Sequence, residues 1–220
     1  MTTKKTLRYF EPQDQPGPGT GLPRDQQRKL RMLAIIKAAA EVVGEHGYAG
    51  ATVTAITRRA GVAQGTFYNY FPTRETLFDQ LLPTLTKEMF AHVREAASKA
   101  KTPIQREEAT MRGYFDYLHK VPAYYRILYE AETHVPATYR SIMTMIARNY
   151  AKQLNEARDR SEITAFSRRE LEAVAFMLMG VRHYLSMRHQ HGGRRSRPMP
   201  DGIVRAYAKL LRGLYLENDA

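Results

Sequence analysis

No stretch of this 220-residue chain alternates apolar and polar residues for long enough to make a strand, while apolar residues recur at helical spacing almost throughout. That pattern confines the chain to the all-α class. From about Arg24 it reads as about nine helices, separated by proline, glycine and hydroxyl caps. The first runs to about Glu45, with Ile35, Ala38, Ala39, Val42 and Val43 on one face and Gly47 as its stop. Thr52 is placed to cap a short second helix that ends at Gly61, and a third starts at Gln64. Pro72 and Thr73 separate that helix from a longer fourth, which holds Pro83. Pro103, Pro122 and Pro136 begin further helices, Ser167 and Glu170 form a capping box, and Gly192-Gly193 precedes a last helix over about 202–217. With 43% apolar residues the chain can bury a core, yet its longest apolar run, Ala173–Val181, is nine residues. A membrane-spanning helix needs about 20. No apolar stretch of the secretory type opens the chain, so the expected setting is cytoplasmic and away from membranes.

Three segments follow. Residues 1–23 are rich in Pro and Gly and carry Lys4, Lys5 and Arg8, which marks a flexible basic arm. Residues 24–80 form a small helical domain, and 81–217 a larger helical one. The net charge of +12 favours a polyanionic partner, and it is unevenly placed. Thr52–Arg74 contains Arg58, Arg59 and Arg74 and no acid, and Arg24–Lys37 sets five cations against Asp25.

A short helix, a glycine turn and a second short helix make the helix-turn-helix unit. On the helix that opens at Gln64, Phe67, Tyr70 and Phe71 fall on one side, and Gln64, Gly65, Tyr68 and Asn69 on the other. The outward face is polar, aromatic and free of acid. Gln and Asn can read base edges in a major groove, Tyr can reach a phosphate or a thymine methyl, and Gly65 lets the backbone come close.

The ordered series Ile35-Ile36-x-Ala38-Ala39, Gly47-Tyr48, Thr52-Val53-x-x-Ile56, Ala60-Gly61-Val62, Gly65-Thr66-Phe67-Tyr68-x-Tyr70-Phe71 and Arg74-Glu75-x-Leu77 resembles the DNA-binding domain of TetR-family transcriptional regulators. The likeness covers about residues 30–80. It implies a homodimer, a C-terminal helical domain for ligand binding and dimerisation, and repression of a palindromic DNA operator relieved by a small molecule. Carried over by position, Thr54, Gln64, Gly65, Tyr68 and Asn69 would face bases, and Thr52, Thr66, Tyr70 and Arg74 would face phosphates. Two departures stand out: Ala63 replaces a frequent capping hydroxyl, and Gln64 a frequent cation.

The C-terminal half holds seven tyrosines between residues 114 and 150, with methionines among them. Apolar walls with polar tips suit a small amphipathic or aromatic effector. The expected walls are Tyr114, Phe115, Leu118, Tyr125, Leu128, Met143, Phe176 and Met179, and the expected anchors Tyr124, Arg126, His134, Arg182 and His183. Arg182 follows the long apolar run. If it points inward without a carboxylate, an acidic ligand group would supply the missing charge; the alternative is a pairing with Glu130 or Glu132. Dimer contacts are expected from Leu171, Val174, Ala175, Leu178 and Leu185, and from Ile203, Tyr207, Leu210, Leu211 and Leu214.

Zero cysteines exclude disulfides and thiol chemistry. No phosphate loop, Gly-x-Ser-x-Gly or His-Glu-x-x-His is present, and His189-Gln-His191 has neither helical spacing nor a nearby acid. The expectation is therefore no catalytic site, no metal and no cofactor. The alternative from another class is a small-molecule-binding protein or enzyme with a vestigial DNA-binding domain.

Overall fold

The structure, a computed structural model, describes residues 23–190 and 199–213. Among them are nine helices and no strand: α1 (Arg24–Gly50), α2 (Val53–Ala60), α3 (Gln64–Tyr68), α4 (Arg74–Ala97), α5 (Pro103–Lys120), α6 (Pro122–His134), α7 (Pro136–Asp159), α8 (Arg168–Gln190) and α9 (Asp201–Arg212). The expected all-α class is what folds. Lys4, Lys5 and Arg8 of the arm, His191, Gly192–Arg197 of the basic loop, and Leu214 lie outside the described residues. Contacts divide the chain into two compact units, one holding residues up to Glu88 with Lys120–Tyr139, the other Met89–His119 with the residues from Arg140 on.

In the first unit, α1 buries Ile35, Ile36, Ala39, Val42 and Val43 on one stripe. Gly47 breaks the helix at φ 73°, a left-handed value that glycine adopts without steric cost. The break is gripped from α6. Arg126 donates to the carbonyls of Gly44 (3.3 Å) and Glu45 (3.0 Å), and to Glu130 through Nε at 2.7 Å. Glu130 accepts the Tyr48 amide at 2.8 Å. One ion pair thus satisfies carbonyls before the break and an amide after it, groups a helix end leaves open. A Cβ on Gly47 would lie 2.8 Å from Glu130, and one on Gly44 2.7 Å from Ala123, so two glycines admit α6 against α1. The Tyr48 ring stacks on His134 at 5.4 Å and meets Phe78 edge-on at 4.9 Å.

In the second unit, Thr102 accepts the Gln105 amide at 3.2 Å while Gln105 accepts the Lys101 amide at 3.0 Å, which caps α5. The capping box at α8 forms as the sequence predicts: Glu170 accepts the Ser167 amide at 2.7 Å, and Ser167 accepts the Glu170 amide at 3.3 Å. Met111, Phe115, Leu118, Leu154, Leu171, Ala175, Leu178, Val204, Tyr207 and Leu211 are buried. This corrects the expected dimer stripes, since Leu171, Ala175, Leu178, Tyr207 and Leu211 fill the core of their own chain. The apolar residues left outside are Phe176 (58% exposed), Met177, Tyr184 and, on α9, Leu210 (71%). Among the described residues no helix is long and apolar enough to cross a membrane, and no group of acidic and histidine side chains is placed to hold a metal ion.

Candidate nucleic-acid interface

The interface is built on α2 and α3. Thr52 caps α2, its hydroxyl accepting the Ala55 amide at 3.2 Å. Gly61 ends α2 in the left-handed region (φ 68°, ψ 31°) and turns the chain toward α3. Ile56 of α2 and Phe67 and Phe71 at α3 are fully buried, so α3, five residues long, is held by packing rather than by its own ladder. Ala63 makes no side-chain cap, as its lack of a hydroxyl requires.

That packing sets what faces outward. Gln64, Gly65, Tyr68 and Asn69 are exposed, Tyr68 by 52%. Gln64 Nε2 donates to Thr54 Oγ1 at 2.9 Å, so two expected base readers brace each other. The Gln64 carbonyl oxygen and a second N–H remain for a partner. A Cβ on Gly65 would meet no protein atom within 4 Å. The Tyr68 ring stands edge-on to Phe67 at 5.3 Å, which restrains it without burying it. Thr66 and Tyr70 are half-buried beside this face. Thr73 caps α4 by accepting the Thr76 amide at 3.1 Å, and Arg74 lies 5.2 Å from the Phe78 ring centroid.

The arginines of α2 part ways. Arg59 donates to Glu45 at 2.7 and 3.0 Å and to Glu41 at 3.1 Å, and its hydrogen bond holds the Glu45 carboxyl below its ordinary range. It fastens α2 to α1. Arg58 is exposed.

The expected pocket residues fall in both units. Tyr124, Tyr125, Arg126, Leu128 and His134 belong to the first and Tyr114, Phe115, Leu118, Met143, Phe176, Met179, Arg182 and His183 to the second. Tyr124 Oη lies 3.2 Å from Thr86 Oγ1, and Arg126 and His134 serve the grip on α1. Phe176 is exposed, as is His183, whose ring is 5.6 Å from Tyr184. A groove of about 400 Å³ runs along α7, and its described lining, Arg140, Ser141, Thr144, Met145, Arg148 and Asn149, includes none of them. Arg182 does point inward, but its partner is Glu107, at 3.1 Å. The sequence reading placed Glu107 as a charge near a helix start. Its spacing of four from Met111 and eight from Phe115 was the signal that it lies on the core stripe.

Residues 35–81 match the family described as bacterial regulatory proteins, tetR family. The chain belongs to the TetR family. Among curated proteins it is 30% identical over 112 residues to the HTH-type transcriptional activator FasR of Mycolicibacterium smegmatis, covering 51% of this chain and 49% of that protein. It is 35% identical over 77 residues to the fatty acid metabolism regulator protein of Bacillus subtilis, covering 33% of this chain and 40% of that one. The chain thus spans less than half the length of these two relatives. Among solved structures, the fatty acid degradation regulator FadR from Bacillus halodurans superposes with a TM-score of 0.68 at 21% identity, over 82% of this chain and 97% of the other. At that identity the TetR-family likeness is one of fold.

Proposed function

We propose that this protein is a transcriptional regulator that binds a palindromic DNA operator as a homodimer, represses there, and lets go when it takes up a small amphipathic molecule. The observation that carries the reading is the outward face of α3: Gln64 braced by Thr54, Tyr68 half exposed over a buried Phe67, and an open Gly65, in a stretch with no acid. Two copies are needed because recognition helices on a palindrome enter successive major grooves, about 34–36 Å apart. The apolar residues left outside on α8 and α9 supply a surface for the second copy. The protein would work in the cytoplasm, where bacterial DNA is read, and without catalysis. The two curated relatives and the structural neighbour are named as fatty acid regulators or as a regulator of the same kind, and this motivates an acyl compound as effector.

Fluorescence anisotropy with DNA from upstream of the protein's own coding sequence tests the reading. Tyr68→Ala and Gln64→Ala should each weaken specific binding by about 1–3 kcal/mol with an unchanged melting temperature. Phe67→Ala should instead cost about 3–5 kcal/mol of stability. Specific binding that survives both surface substitutions would rule out this face as the reader.

A further inference from the structure

Inside the second unit, four helices converge on one carboxylate. Glu107 of α5 accepts hydrogen bonds through Oε2 from Tyr150 of α7 at 2.7 Å, Arg182 of α8 at 3.1 Å and Tyr207 of α9 at 3.2 Å. The same Arg182 nitrogen, Nη2, donates to Tyr150 Oη at 3.0 Å, and the guanidinium lies 4.7 Å from the Tyr150 ring centroid. With one carboxylate and one guanidinium, the cluster is neutral overall. One donor is left over: Arg182 Nε is buried and has no acceptor. Nε and Nη2 form one edge of the planar guanidinium, so an acceptor at Nε sits beside the Glu107 carboxylate.

This decides which headgroup fits. A neutral carbonyl oxygen takes the spare hydrogen without adding charge. A carboxylate there would set a second negative charge next to Glu107 in a dry interior, an arrangement that disfavours ionisation of both. Met111 and Leu178, one helical turn from Glu107 and Arg182, are buried apolar residues, so a chain attached to that carbonyl meets apolar surface. Resting on the acyl reading above, we propose that Arg182 Nε receives a neutral carbonyl oxygen of the effector, that of an ester, thioester or amide, and that Glu107 is the residue that rejects the free acid.

Isothermal titration of the full chain with methyl dodecanoate, the dodecanoyl thioester of N-acetylcysteamine and dodecanoate tests this. The ester and thioester should bind at least about tenfold more tightly than the acid. Glu107→Gln should invert that order, because the unmatched guanidinium then seeks an anion. Arg182→Lys keeps the charge but moves the donor, and should weaken the neutral compounds by about tenfold. If Glu107→Gln does not fold, the wild-type order alone decides. Acid bound as tightly as ester overturns the inference and leaves the acyl reading standing, and so does ester binding unchanged in Arg182→Lys, which would make the N–H a hydrated group only. If none of the three binds, the inference and the acyl reading fall together, while operator binding in the same preparation reports separately on the DNA-binding reading.

Discussion

Gly65 has no reason within its own chain to lack a side chain: it sits in a helix and a Cβ there would touch nothing. Glycine inside a helix costs about 0.5–1 kcal/mol relative to alanine. Gly65→Ala should therefore raise the melting temperature while lowering operator affinity, a combination that separates close approach by DNA from any folding role. If both rise, or affinity is unchanged, close approach is not what the position requires. Glu88 shows the opposite kind of mismatch. Burial pushes its carboxyl up to about 7, and its Oε2 is buried with no hydrogen-bond partner. An acid whose folded value is raised loses stability as pH rises through that value. Glu88→Gln should accordingly raise the melting temperature in mildly alkaline buffer and leave it nearly unchanged in mild acid. Tyr48 also keeps a buried hydroxyl without a partner, and burial raises its phenol, which holds it neutral.

At the scale of elements, α1, α6 and the helix-turn-helix form one mechanical series. Arg59 ties α2 to α1 through Glu41 and Glu45, and Arg126 with Glu130 ties α6 to the Gly47 break. Burial alone would raise the Glu130 carboxyl. The hydrogen bonds from Arg126 and the Tyr48 amide outweigh it, and the value is lowered. Lowering means that the grip stabilises above the ordinary carboxylate range and that its contribution fades as pH falls through the lowered value. Glu130→Gln should reduce stability by about 1–3 kcal/mol near neutral pH and make the loss on acidification shallower, both read from melting temperature against pH. An unchanged acid limb would mean that another carboxylate governs it. Gly47→Ala should be costly at any pH, because it combines a left-handed φ with a carboxylate oxygen 2.8 Å from the new Cβ.

For the whole molecule, what counts is which apolar surface the chain cannot cover by itself. Ala175 is fully buried and Phe176, its neighbour, is 58% exposed, so adjacent residues separate folding from assembly. Phe176→Glu should give a folded protein with unchanged helical circular dichroism that sediments as a monomer and binds its operator weakly. Ala175→Arg should unfold the chain, since a charge there has no partner in the core. A Phe176→Glu protein that remains dimeric would place the interface elsewhere. The net charge of +12 adds a condition on any such measurement: operator affinity should fall steeply with salt, so variants must be compared at one ionic strength.

Helical period, breaker residues and caps were legible because they act over neighbouring residues. Thr52, Gly61 and the Ser167–Glu170 box do what their positions in the chain imply. The face of α3 was legible for the same reason, since burying Phe67 and Phe71 leaves Tyr68 outside by geometry alone. Partners distant in the chain were not. Glu107 meets Arg182 from 75 residues away, and Glu130 meets Tyr48 from 82. Which apolar stripe of α8 packs inward is likewise decided by the helices it meets. Periodicity states that a helix has an apolar face. Only the packed structure decides whether that face, a ligand or a second chain takes each residue, because burial depends on what else competes for the same surface.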